Sequence, residues 1–399
     1  MKMKTLALVI IATSLCMTSC SGTNKSTAAT YMASGAELPG NGEVEKTLNL
    51  GSFSGIEASV IVDIHYTQDT KRSVKVRATQ KQIDRCDISV SGSTLVLKTK
   101  KNAPDSDDNS KQDKITLYIT APEISVIENR GIMGFYTKQL NGDGLQIKNK
   151  GILNMNVQNV SGKGGSGLSI DNTGRMTAEM PTVDMNMFSL ENMGVLMFQS
   201  NSIKGGSLTI NNSGQLNIKG NMEGSTANLY NKGVCNMSSA FNLTGSYSCS
   251  NGGQLRISGD VKGSTATLKN TGMYGMEGSF HLDNNYTYAN SGQADNDGDV
   301  TANAISITNS GVDRRNGKLK SEQLDMNVNG QSRYEMSFSG GEAKLNCSGI
   351  GNFEMALDCR SIKVNSSGQI NVTLSGTADN TSFDGSGISH VNTSRLNKF

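Results

Sequence analysis

Ile210-Asn211-Asn212-Ser213-Gly214-Gln215-Leu216, Leu229-Tyr230-Asn231-Lys232-Gly233-Val234-Cys235 and Cys249-Ser250-Asn251-Gly252-Gly253-Gln254-Leu255 carry one pattern, apolar-x-Asn-x-Gly-x-apolar. Followed outward, the pattern recurs fourteen times. Its glycines are Gly131, Gly151, Gly174, Gly194, Gly214, Gly233, Gly253, Gly272, Gly292 and Gly311, then Ser332 in the glycine slot, then Gly349, Gly368 and Gly387. The steps run from 17 to 23 residues, mostly 19 or 20. A period in this range marks a stacked array, in which one unit cannot bury its apolar face alone and its neighbours complete the core.

The kind of unit follows from the alternation inside it. Four residues before the glycine slot stand Ile127, Ile147, Ile170, Leu190, Ile210, Leu229, Cys249, Leu268, Tyr288, Ile307, Val328, Leu345, Val364 and Phe383. Two residues after it stand Met133, Leu153, Met176, Leu196, Leu216, Cys235, Leu255 and Tyr274, and the column then degrades. Even offsets mean a period of 2, which is strand. Two strands of about four residues meeting at an Asn-x-Gly corner, with a Gly/Ser/Asn-rich return, make one coil of a parallel β-helix. At ~4.8 Å per coil, fourteen coils stack to roughly 65 Å.

Asn129, Asn149, Asn172, Asn192, Asn212, Asn231, Asn251, Asn270, Asn290 and Asn309 share the parity of the buried columns. A stacked amide at a corner can satisfy backbone groups that lose their ladder partners, and can bond the amide of the next coil. Glycine follows where the turn needs positive φ or leaves no room for a Cβ.

The first residues form a short basic start, Met1 to Lys4, an apolar stretch Leu6 to Leu15, then Thr18 and Ser19 before Cys20. This resembles a bacterial lipoprotein signal of the Bacteroidetes kind, cleaved after Ser19 and acylated on Cys20. Cys16 is the rival, but Leu15 is bulky for the residue before the cut. The expected organisation is signal peptide 1–19, lipidated cysteine and polar tether 20–47, β-rich cap 48–122 and β-helix 123–399. The lipid at Cys20 makes the membrane a partner.

Without the signal, Cys86, Cys235, Cys249, Cys347 and Cys359 remain. Cys235 and Cys249 fall on buried columns, as packed thiols or as a bridge across the lumen. Cys347 replaces a ladder Asn. A net charge of +2 gives no field for nucleic acid, and the absence of Trp with 5% aromatics argues against an aromatic sugar platform. Several of the 19 methionines sit on buried columns, where a flexible thioether fills an irregular lumen. No cofactor is implied.

Phe53-Ser54-Gly55-Ile56 and the strand that follows it, Leu95-Val96-Leu97 after Gly92, Ala121-Pro122-Glu123-Ile124 entering the first coil, and small-Gly corners ending in Gly385-Ser386-Gly387 carry a resemblance. Over Leu48 to Phe399 the chain resembles the putative auto-transporter adhesin head GIN domain family. That resemblance implies an all-β, right-handed parallel β-helix and adhesion as the role, and it offers no catalytic residues; the chain departs from the family pattern in its number of coils, about fourteen by the repeat, and in its Asn column where the family has Ser.

One stretch breaks the repeat. After Gly292 and Gly311 the inward positions become Ala294/Asn296 and Asp313/Arg315. With their neighbours, Asp295, Asp297, Asp313, Arg314, Arg315 and Glu335 make the candidate charged surface patch, read as a solvated loop bearing an ion ladder Asp295-Arg314-Glu335. Asp295, Asp297 and Asp299 imitate the start of a calcium loop, but Gly298 stands at the fourth place instead of the sixth and no Glu closes the twelfth, so no metal is assigned. A β-helix enzyme cutting acidic polysaccharide would need paired carboxylates on one strand face, and this is the sole cluster of that kind. His65, His281 and His390 are isolated from any nucleophile.

The reading is a non-enzymatic, lipid-anchored envelope body that presents surface to a glycan or protein ligand. Its runner-up is a periplasmic structural protein. Ser21 to Lys25 lacks the early acidic run that resembles a surface-export tag, which favours the periplasmic face of the outer membrane. Leu396 to Phe399 is too short to cap the last coil, so edge-to-edge dimerisation is open.

Overall fold

The computed structural model describes residues 42–101, 103, 114–162, 164–386 and 388–398. The signal and Cys20, the acidic stretch with Asp105, Asp107 and Asp108, and Gly387 lie outside the described residues. Glu43–Phe399 forms one compact unit. It is an all-β solenoid of about fourteen turns.

The coil cornered at Gly253 shows the plan. Its strands Ser246–Asn251, Gln254–Ser258 and Val261–Gly263 pair in parallel with Thr265–Asn270, Met273–Glu277 and Phe280–Leu282 of the next coil. Each such coil therefore has three strands where the sequence pattern suggested two. The third is only three residues long, and its inward column, Phe241, Val261, Phe280, Val300 and Leu319, begins beyond the reach of the Asn-x-Gly pattern. Turns into this side use glycines at φ +141° (Gly259) and +151° (Gly278), a region closed to most side chains.

The Asn-x-Gly corner needs glycine for the other reason. A Cβ on Gly214 would lie 2.1 Å from the Gly194 carbonyl oxygen, and one on Gly233 2.1 Å from that of Gly214. Bare backbone packs on bare backbone all along this edge. The same test corrects the register of the later coils. A Cβ on Gly330 would meet the Gly311 oxygen at 2.0 Å, and one on Gly349 would meet the Gly330 oxygen at 2.0 Å. Gly330 holds the corner, and Ser332 pairs with Asp313 two residues beyond it. Met326 then joins the apolar column opposite Ile307, while Val328, Cys347 and Ser366 succeed Asn309 in the Asn column. The coil-to-coil step is a uniform 19 residues from Gly311 to Gly368.

The segment before the repeats continues the same sheets. β1 (Glu43–Leu48), β2 (Gly55–Ala58), β3 (Ile61–Gln68), β4 (Ser73–Thr79), α1 (Gln80–Arg85), β5 (Cys86–Ser91), β6 (Thr94–Thr99), β7 (Ile115–Ala121), β8 (Val126–Asn129) and β9 (Ile132–Asn141) follow in order. β2 lies between β6 and β8, and β3 between β7 and β9, all parallel. Outside them the direction reverses. β5 is antiparallel to β6, β4 to β7 and β1 to β4, which covers the edge a bare first coil would expose. α1 turns the chain between β4 and β5, capped by reciprocal bonds between Thr79 and Gln82. At the other end His390–Lys398 lies parallel on Gln369–Gly385.

The inward columns are buried almost completely: Ile56, Ile127, Ile147 and Leu190 have no exposed surface. Full burial of such a side chain contributes roughly 1.5–3 kcal/mol. If the corner glycine is steric in origin, Gly214→Ala and Gly330→Ala will each destabilise by about 3 kcal/mol. The neighbouring exposed Ser213→Ala will stay within about 0.5 kcal/mol. Thermal melting followed by circular dichroism measures all three, and a silent Gly330→Ala would return the corner to Ser332.

Candidate functional site

The asparagines of the corner column form one continuous hydrogen-bonded file inside the solenoid. Asn129 Nδ2 donates to Asn149 Oδ1 at 2.8 Å, and the same bond at 2.7–2.8 Å links each successive pair through Asn309. Each amide also donates to two backbone oxygens. Asn212, for example, reaches Gly214 O at 3.2 Å in its own coil and Val234 O at 3.0 Å in the next. These are buried backbone acceptors at a turn, so the ladder supplies partners that the strand pattern lacks there. The file ends when Asn309 donates to Ser332 Oγ at 3.1 Å.

Where it ends, a second polar group fills the lumen. Asp313 and Arg315 are 1% and 2% exposed. They are not part of a surface patch, because their strand runs in unbroken register with its neighbours and its parity sends both inward. Asp313 Oδ2 accepts from Tyr334 Oη at 2.8 Å and its Oδ1 from Asn296 Nδ2 at 2.9 Å. The Arg315 guanidinium lies 4.7 Å from the Tyr288 ring centroid, its Nε 3.9 Å from Asp313 Oδ2. Arg315 Nε and Nη2 have no hydrogen-bond partner. Burial pushes the Asp313 carboxyl above its ordinary range, opposed by Arg315 and by the hydrogen bonds to it.

The remaining charges do face out, and from strands, not a loop: Asp295 and Asp297 on Gln293–Asp297, Arg314 on Val312–Val328 and Glu335 on Gln331–Cys347. Arg314 Nη1 is 4.0 Å from Asp295 Oδ2, with both side chains more than half exposed, so the pair contributes little. Arg314 is followed in the next coil by Arg333; Glu335 stands opposite Asn316 and bonds Arg333 on its own strand. The opposite-charge ladder therefore stops at Arg314, because the corner lies at Gly330. Asp297 is exposed beside it.

Cys235, Cys249, Cys347 and Cys359 are buried free thiols, and Cys86 is half-buried. Burial pushes Cys235, Cys249 and Cys347 up to about 12, so they remain protonated and unreactive near neutrality. Composition made no provision for the site of His65. Its ring is stacked between Tyr118 and Tyr136, each centroid 5.2 Å away, because three parallel strands bring these residues to one level. Burial lowers its pKa, Asp63 acts against that and Lys114 with it. His281 lines an open cleft of about 610 Å3 with Lys262 and Asp283, and His390 pairs with Asn371. Among the described residues no three acidic, Cys or His side chains are grouped to hold a metal ion.

A family model described as putative auto-transporter adhesin, head GIN domain, matches residues 52–179 and 335–398. Over these two segments the chain is similar to that family. The matched parts are the first coils, with β4 and β5 but not β1, and the last coils; the solenoid between them continues the same plan. Similar solved structures include a putative adhesin of Bacteroides fragilis NCTC 9343, at 18% identity and TM-score 0.39, over 61% of this chain and 97% of that one. A putative adhesin of Parabacteroides merdae ATCC 43184 is 12% identical with TM-score 0.24, over 89% and 98%. A putative lipid binding protein of Parabacteroides distasonis ATCC 8503 is 12% identical with TM-score 0.23, over 91% and 99%. No curated protein matches the chain.

The buried pair makes a sharp forecast. Asp313→Ala leaves a buried guanidinium without its counter-ion and will cost about 3–5 kcal/mol, whereas the double change Asp313→Leu with Arg315→Met will recover most of it. Urea midpoints of the two variants check this. For His65 the folded pKa lies below the ordinary value, so its contribution is present above about pH 6.5 and is lost as pH falls through the folded value. The His65 resonance will titrate below about 6.5, and His65→Gln will remove the corresponding loss of melting temperature on acidification.

Proposed function

We propose that this protein is a non-enzymatic, lipid-anchored cell-envelope protein, adhesin-like in type, that works by presenting the outer faces of its coils. The observation that carries this reading is the direction of its chemistry. The amide file and the Asp313-Arg315 group turn inward and serve the stack. What remains for a partner is the long solvent face, which suits many shallow contacts along a repeat array. The match of both ends of the chain to a family described as a putative auto-transporter adhesin supports the same role.

The proposed anchor is the lipid on Cys20, after removal of residues 1–19, with residues 20–47 as a polar tether. Among the described residues no helix is long and apolar enough to cross a membrane. A second reading, a periplasmic structural protein under the outer membrane, is favoured by one feature: Ser21-Gly22-Thr23-Asn24-Lys25 carries no acidic residue. Protease treatment of intact cells, blotted beside a periplasmic marker, separates the two. Digestion of the chain in intact cells is the outcome expected of an adhesin; protection until the outer membrane is opened overturns that role and leaves the structural one. Cys20→Ala will release the chain from the membrane fraction in either case.

A further inference from the structure

From Gly194 onward the residue just after the corner glycine forms a column with a period of two coils; the three earlier corners, followed by Ile132, Ile152 and Arg175, do not share it. Its apolar rungs are Val195, Val234, Met273, Val312 and Ile350. The rungs between them are Gln215, Gln254, Gln293, Gln331 and Gln369. Parallel pairing places each directly on the next. Ile388 continues the alternation, its amide bonded to Gly368 O as that of Gln369 is to Gly349 O. Val195, Met273 and Ile350 are 39%, 43% and 54% exposed. Packing inside the solenoid does not ask for this alternation, because these side chains point away from the lumen.

The column is also uncharged from Val195 to Ile388, on a chain where 18% of residues are charged. Across the bare glycine corner the facing column is mostly hydroxyl, with Ser213, Ser291, Ser310 and Ser348 among its members. Near the C-terminal end this hydroxyl side opens into a cleft of about 300 Å3. Asn346, Asn365, Ser348, Ser367 and Asp384 line it above Cys347 and Ser366. Asn365 donates to Asn346, and Asn346 to Asn327, each at 2.8 Å, in a second amide file, this one turned outward. Ser366 is 4% exposed and its Oγ has no hydrogen-bond partner.

We propose that this corner edge binds an uncharged β-1,4-linked glycan chain laid along the stack axis, one sugar per coil. Coils advance about 4.8 Å, close to the rise of one sugar in an extended β-1,4 chain. Successive sugars in such a chain are turned over, so each edge of the ribbon repeats every second unit, in step with the Gln/apolar alternation. Glutamine offers both donor and acceptor to hydroxyl or acetamido groups, and the apolar rung between meets a less polar edge. The neutral stripe matches an uncharged polymer and gives no purchase to a uronate chain. This inference deepens the envelope-binding reading above and rests on it.

The test is calorimetric titration of the full mature chain with β-1,4-linked N-acetylglucosamine tetramer, hexamer and octamer and with cellohexaose, against α-1,4-linked maltohexaose. Affinity for a β-1,4 series should climb with each added disaccharide. The surface pair Gln293→Ala with Gln331→Ala should weaken the longest oligomer by about tenfold with an unchanged melting temperature. No binding of either β-1,4 series, equal binding of maltohexaose, or an unaffected double variant overturns the proposal. Its failure is separable from that of the adhesin role: a protease-accessible chain that ignores these glycans ends this proposal alone, while a protected chain that binds them ends only the surface role.

Discussion

Each coil from Gly151 to Gly311 meets the one before it across a corner that has no space for a side chain, glycine backbone on glycine carbonyl, with the amide of the preceding Asn bonded along the file and to the backbone oxygens of the turn. The rest of the structure depends on that contact. It holds neighbouring strands at hydrogen-bonding distance and admits little variation in the length of a coil. It also fixes parity, so that every second residue on either side is committed to the lumen. A side chain of the wrong chemistry at an inward position cannot escape by a one-residue slip, since the slip would turn a whole strand over.

The Asp313-Arg315 group shows what that commitment does to charge. Two ionisable residues in the lumen are held by Tyr288 and Asn296 from the coil before and Tyr334 from the coil after. An ion pair in such a place is weak evidence for stability, because desolvation offsets its Coulombic gain. It sits where the Asn file gives way to Ser332, Val328 and Cys347, so the interior changes from a regular amide column to an improvised polar cluster and then to an apolar one.

The family model covers the two ends of the solenoid and passes over residues 180–334. A stacked array explains how this is compatible with one fold. Each coil touches only its neighbours, so coils can be added between two ends while the end-specific features stay where they are. At the first end those features are the antiparallel strands β1, β4 and β5, which close a sheet that would otherwise present free edges. Additional coils lengthen the outer faces while each coil still contacts only its neighbours.

Periodicity made the solenoid legible before any coordinates, because stacking forces the same chemistry to recur at the same place in every coil. The amide and apolar columns could be read in that way. Register in the later coils could not. Once Val328 stands in the Asn column, the motif no longer marks its own phase, and Ser332 stood close enough to the expected spacing to be taken for the corner. That two-residue error carried Glu335 onto the wrong rung. The third strand was hidden for a different reason, since three residues are too few to show an alternation. The Tyr118-His65-Tyr136 stack joins residues 53 and 71 positions apart and has no local signal at all. By itself, then, the sequence determined that the chain is a β-solenoid, where most of its coils turn and which residues face inward, since these follow from repetition and strand parity. Only the tertiary structure decided which glycine sits beneath which, how many sides a coil has and which charges are sealed in the lumen, because each of these is a contact between coils and none is written in any one of them.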